Sequence, residues 1–230
     1  MLDKRYRYLL LSASVELTMH ALFRLALAAA LVVGLAGPAQ ATSLAPLSVD
    51  QMTDASDLIV RGTVERTWSD IDMSSGHIVS YADIRVTHGV KGAVTAGDFL
   101  TVETPGGVID GDVALVDAAA RYAEGEDVFL FLAEKRLGTS YGTVGMFLGK
   151  FTVKLDPQDG QPMIVRFTVP WDQRFDARFV PNPPVAERVS VTSFEQRVQA
   201  RVAAGWDGTP IPGMSPVKLR QINKLQPGVR

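Results

Sequence analysis

The side chains best suited to chemistry in this chain are carboxylates gathered in VETPGGVIDGD, residues 102–112, where Glu103, Asp110 and Asp112 are set among glycines. Acids at that density are hard oxygen ligands for a divalent cation such as calcium, or an acid and base pair for hydrolysis. The same letters also spell something plainer, because Pro105-Gly106-Gly107 supplies the positive φ angles of a turn and leaves the acids in water. A phosphate cradle is not spelled here. No G-K-[ST] closes the stretch, and Gly106-Gly107 leads into a β-like segment instead of a helix.

A second acidic loop, DIDMSSG at 70–76, puts Asp70, Asp72 and Ser74 at the first, third and fifth positions of an EF-hand-like loop. Ser75 then stands where the sharp turn needs glycine, and Tyr81 where a bidentate glutamate belongs, so solvated loop acids are expected. Beyond the first twenty residues the histidines are His77 and His88, and there is no cysteine, so a zinc site would need a carboxylate-rich shell. There is no G-x-S-x-G elbow for a nucleophilic serine. Trp68, Trp171 and Trp206 are large flat surfaces with a polar handle. Trp68 and Trp171 are the candidates for contact with a peptide or glycan, against the plainer reading of packing at a strand end.

These residues need a scaffold, and the scaffold reads as β. Ser48–Gln51 (SVDQ) is a capping box opening a short helix to about Ala55. In 58–67, Leu58, Val60, Gly62 and Val64 share one face; in 77–88, Ile78, Ala82, Ile84 and Val86 do, which predicts a long hairpin closed by 69–76. Further strands are expected at 99–103, 113–116, 128–132, 142–147, 150–155 and 163–169. Residues 128–132 (VFLFL) are apolar throughout and should be covered on both faces. The fold class this predicts is a small antiparallel β-barrel, OB-like, spanning 42–169.

From Pro170 the prolines and aromatics of WDQRFDARFVPNPPVAER show no regular period and read as a strap over the barrel. Within 170–206, Thr192–Glu195 (TSFE) is a possible cap, and Phe194, Val198 and Val202 mark a short amphipathic helix before Gly205. Residues 207–230 are basic overall, without a core pattern, and read as a mobile tail whose KLRQINK segment faces an acidic partner or only solvent.

Leu25–Ala36 is an apolar run after Arg24 and before Ala39-Gln40-Ala41, the pattern of a secretory signal, so 1–41 reads as a leader with Met19 as the suspected true start. A helix of that length reaches only ~18 Å against a hydrocarbon core of ~30 Å, so no stable membrane span is expected after cleavage. The remainder is long enough to bury a core without disulfides. The full chain carries a formal net charge of −2 and loses mostly bases with the leader, which gives nucleic acid no global attraction.

The order of pieces carries a resemblance: DLIVRGTV (57–64), VTHGVKG (86–92), GDFLTV (97–102), PGG (105–107), GEDVFLFL (125–132) and GMFLGKFTV (145–153). It resembles a group of uncharacterised exported bacterial proteins over about 47–155, and is more loosely similar to the netrin-like, OB-type barrel of tissue inhibitors of metalloproteinases. The resemblance implies a small β-barrel in which PGG is a turn. Those inhibitors act through a cysteine at the mature N-terminus, which this chain lacks, so no functional residue is carried over. The expected function is that of an exported, periplasmic or extracellular, non-enzymatic barrel that binds a protein or envelope component, with no cofactor. The alternative is a metal-dependent or hydrolytic enzyme using Glu103, Asp110 and Asp112, and a third reading keeps the chain in the membrane by an uncleaved leader.

Overall fold

Helix α1 (Val49–Ala55) begins where the S-x-x-Q box predicts. The Ser48 hydroxyl accepts from the Gln51 amide at 3.1 Å, and Gln51 Oε1 accepts from the Ser48 amide at 3.0 Å. Amides that a helix start leaves without partners are thereby satisfied. The computed structural model describes residues 47–135, 140–168, 185–215, 218 and 222. Residues 1–41, read above as a leader, and the strap residues 170–184 with Trp171 lie outside the described residues.

Alternating hydrophobicity builds the long hairpin of β1 (Leu58–Ile71) and β2 (Ile78–Lys91). Val60, Val64, Ala82, Ile84 and Val86 enter the barrel interior as expected. The segment 69–76, expected as loop, is strand as far as Ile71. Register shifts leave an extra residue in β2 at Val90 and Thr87 and in β1 at Glu65, so both strands of the hairpin carry bulges. Bulges raise local twist and re-aim side chains. Ordinary alternation along β1 puts Val60 in the interior and Ile59 in a second core outside the wall.

Strand β3 (Phe99–Pro105) pairs with β2, and the chain then leaves the barrel as a ribbon of β4 (Gly107–Ile109) and β5 (Asp112–Ala114). Strand β6 (Asp127–Glu134) returns beside β1, and β7 (Tyr141–Thr143) pairs with β6 and meets β3 at Val102 and Tyr141. The ring β1-β2-β3-β7-β6-β1 is a closed five-stranded barrel. Five strands cannot alternate direction all the way round, so one neighbouring pair must be parallel. That pair is β3–β7, and the other four pairings of the ring are antiparallel.

Strand β6 explains the unbroken apolar run. Val128, Leu130 and Leu132 fill the barrel, whereas Phe129 and Phe131 pack outside against the helices. The expected strand 142–147 is shorter, because Gly145 and Met146 take left-handed conformations and start a 3₁₀ turn at Met146–Gly149. Strands β8 (Lys150–Leu155), β9 (Pro162–Thr168) and β10 (Val185–Ser190) extend the sheet from β6. Strand β10 corrects the strap reading over 185–190, where VAERVS pairs with β9 along its whole length.

Helix α2 (Val191–Ala204) follows without a loop. Its cap is Ser190, whose hydroxyl accepts from the Ser193 amide, two residues before the box read from the sequence. Phe194 and Val198 are buried, and the Phe194 ring meets Phe151 at 5.0 Å and Phe129 at 5.2 Å, edge-on to the latter. Such aromatic contacts add roughly 0.5–1.5 kcal/mol each beyond area burial. Arg201 of α2 holds Asp54 of α1 through two nitrogens, one at 3.0 Å, and Lys91 donates to the Thr53 carbonyl at 2.7 Å. Burial holds the Asp54 carboxyl above its usual range even beside Arg201, and burial pulls Lys91 down.

The described part of 207–230 is not a free tail. Ile211 is buried in the outer core, Met214 and Ile222 pack against it, and Lys218 pairs with Asp57 at 2.7 Å. Apolar residues spaced irregularly for a helix or strand still find the core once α2 has brought the chain to it. Among the described residues no helix is long and apolar enough to cross a membrane.

Candidate binding cleft

The far end of the β1–β2 hairpin overhangs the barrel, and there Trp68 and Tyr81 are direct cross-strand partners with rings stacked at 5.2 Å and 20°. The Arg66 guanidinium lies 4.2 Å from the Trp68 ring centre and pairs with Asp83 at 2.8 Å. An aromatic pair with a cation on its face is a rigid, largely preformed contact surface. One residue on, the opposite face of the hairpin presents Ser69 and Ser80, also cross-strand partners, with hydroxyls 3.0 Å apart.

These hydroxyls fasten the bend between β3 and β4. Ser80 donates to the Gly106 carbonyl at 2.7 Å, and the Val108 amide donates to the Ser69 hydroxyl at 3.3 Å. A side chain at Gly107 has no room: a Cβ there would stand 2.4 Å from Ser69 Oγ and 2.5 Å from Ser80 Oγ. Gly106-Gly107 is therefore the close approach of one backbone to a serine pair. The tight turn of this stretch lies three residues later. Asp110 (φ 50°) and Gly111 (φ 94°) form the two-residue loop joining β4 to β5, the Asp-Gly hairpin turn that requires positive φ at both positions.

Between the hairpin, the bend and residues 114–122 lies a cleft of about 450 Å³. Its walls carry the hydroxyls of Ser69, Ser80 and Thr104, the ring of Tyr122, and the apolar side chains of Val108, Leu115 and Val116, while Trp68 and Tyr81 border it from the strands whose reverse face carries their stacked rings. Arg121 is its one charged lining residue, and no carboxylate, histidine or lysine is among the described residues that line it. Tyr122 is anchored by a 2.8 Å hydrogen bond to Thr143, and burial pushes its phenol far above the ordinary range. At the cleft rim Val108 is 58% exposed and Leu115 75%, and beyond it Val113 is 58% and Met73 95% exposed. Contiguous exposed apolar side chains around a concavity mark a contact site.

The three acids proposed from the sequence are not brought together. Glu103 accepts from Lys135 and from Ser140, each at 3.0 Å, and so ties β3 to the β6–β7 connection. Asp110 and Asp112 stand exposed at the turn of the ribbon. Among the described residues no group of three or more histidines or acids is disposed to hold a metal ion. Asp72 is occupied by its own loop, accepting from Ser74 and Ser75, and these bonds hold its carboxyl below the usual range. His88 pairs with Glu195 of α2 at 2.8 Å, and Trp206 packs on the outer core with its indole donating to Thr209.

Trp68, named from the sequence, borders this cleft, whereas the serine pair, Arg121 and Tyr122 were not singled out there. The Asp110-Gly111 dipeptide, flanked by Val108-Ile109 and Asp112-Val113, was the signal that could have located the ribbon. Compared with protein-family models and with curated proteins, the chain matches none.

Proposed function

We propose that this protein is an exported, non-enzymatic binding module whose cleft receives part of a protein or envelope component. The observation that carries this reading is the composition of the cleft. A row of hydroxyls and the Tyr122 ring stand beside exposed valine and leucine, with Arg121 as the one charge, and the reverse face of the same hairpin adds the stacked Trp68–Tyr81 pair. Aromatic surface with polar handles recognises; proton transfer and nucleophilic attack need an acid, a base or an activated nucleophile within reach.

Placement outside the cytoplasm rests on the apolar run Leu25–Ala36 with Ala39-Gln40-Ala41, and a chain without cysteine is compatible with an oxidising compartment. The likeness to netrin-like inhibitors stays a proposal about the scaffold alone, since the inhibitory cysteine has no counterpart here.

The test is affinity capture from the exported fraction with the tagged protein, side by side with Trp68→Ala and an unrelated exported control. A buried tryptophan anchor is worth about 2 kcal/mol or more, so the variant should retain less than about a tenth of a stoichiometric partner. A partner retained equally by both proteins would place the contact elsewhere.

A further inference from the structure

Strand β5 has one partner, β4, and the geometry of their turn decides which way its backbone points. In a two-residue hairpin the residues flanking the turn, Ile109 and Asp112, exchange hydrogen bonds. The next pair, Val108 and Val113, therefore directs its N–H and C=O groups outward. On the β4 side this is visible, because the Val108 amide reaches the Ser69 hydroxyl. On the β5 side the outward groups of Val113 have no partner among the described residues, and the residue is 58% exposed.

We propose that the outer edge of β5 adds a strand from a basic, apolar-alternating polypeptide, and that this is how the module holds its partner. The inference rests on the binding-module reading above. Val113 and Leu115 are two apart along the chain, with Val108 across from Val113, which offers apolar contact to alternate side chains of an incoming strand. Charge selects its other residues. Asp110 and Asp112 sit at the ribbon turn, Asp117 follows Leu115, and Asp70 and Asp72 lie at the neighbouring β1–β2 tip; among the described residues none of them is ion-paired. Arg121 is the opposing charge in the cleft wall. An anionic lipid surface or an acidic chain meets repulsion here, and so does the like-charged edge of a second copy.

The probe is a fluorescein-labelled peptide, Thr-Lys-Val-Lys-Val-Lys-Val-Lys-Thr, compared with its glutamate counterpart by anisotropy against the full chain. The basic peptide should saturate the protein and bind at least about tenfold tighter than the acidic one. Val113→Pro removes the outward amide without touching a β4 bond and should weaken binding about tenfold. Leu115→Ser, at an exposed position that folding does not use, removes apolar contact without changing the charge, should do the same and guards against a folding defect in the proline variant. Equal binding of both peptides, binding indifferent to both substitutions, or a dimer or anionic-vesicle complex abolished by Leu115→Ser would overturn the proposal. If the peptide fails while Trp68→Ala still loses the captured partner, the strand-edge inference falls and the binding module stands.

Discussion

Ser69 and Ser80 face each other across β1 and β2 with hydroxyls 3.0 Å apart, and between them they hold the backbone at Gly106 and Val108. The cleft exists because of this pair. It fixes where the chain leaves β3, and hence where the β4–β5 ribbon stands relative to Trp68 and Tyr81.

Replacing Gly107 by alanine should therefore loosen the ribbon. The added Cβ meets both serine oxygens, and the φ of 153° is uncommon for a side-chain-bearing residue. A loss of roughly 1–3 kcal/mol is expected in urea unfolding, with amide exchange accelerated at 107–114 before the barrel. Ser80→Ala removes one buried-edge hydrogen bond and should cost about 0.5–1.5 kcal/mol. An alanine at 107 that leaves stability and exchange unchanged would show that the serines do not clamp the bend.

Three ion pairs link the C-terminal third to the N-terminal helix region, Arg197–Asp50, Arg201–Asp54 and Lys218–Asp57, and the last two should differ in worth. Asp54 is 5% exposed and Arg201 17%, whereas Asp57 and Lys218 are each 30% exposed. Arg201→Met strands a buried carboxylate and should cost about 3–5 kcal/mol at neutral pH, while Lys218→Met should cost about 0–1 kcal/mol. The Asp54 carboxyl titrates above its unfolded value of 3.8. The folded state then binds its proton first as pH falls, so the Arg201→Met deficit should shrink in acid and grow as pH rises through that raised pKa. Melting curves of the two variants across that range check both the order and the sign.

Tyr122 predicts the alkaline limb. Its folded-state phenol titrates above the unfolded value of 10.0 because burial outweighs the opposing effect of its hydrogen bond to Thr143. Its contribution is whole below that value and is lost as pH rises through the folded pKa, since the unfolded chain ionises first. Tyr122→Phe should cost about 0.5–1.5 kcal/mol at pH 7 and fall less steeply than the parent above pH 10 in stability measured by urea unfolding. Parallel curves would mean that the phenol titrates as in water.

The barrel was legible where periodicity is a consequence of burial. Residues alternating at 60–64 and 82–86 face one core, and the unbroken run at 128–132 separates two. What the letters hid were features made by distant partners. The parallel contact of Val102 with Tyr141 follows from closing an odd ring, and no local pattern encodes it. Strand β10 is carried by pairing with β9 along VAERVS, whose polar residues blur the alternation. At the site, Trp68 stood out by size, but the serine pair is common chemistry made special by register. The acids at 103, 110 and 112 looked like a cluster only because they are close along the chain. Glu103 belongs to β3 and turns to Lys135, while Asp110 and Asp112 ride out on the ribbon.

The most direct measurement is site-specific photo-crosslinking in the producing cell, with a benzoyl-phenylalanine in place of Leu115 at the cleft rim or of Leu155, 70% exposed beside a separate pocket of about 170 Å³. The account predicts one reproducible adduct, identified by mass spectrometry, from position 115 and none from 155. No adduct at 115, or the same adducts from both positions, would contradict it.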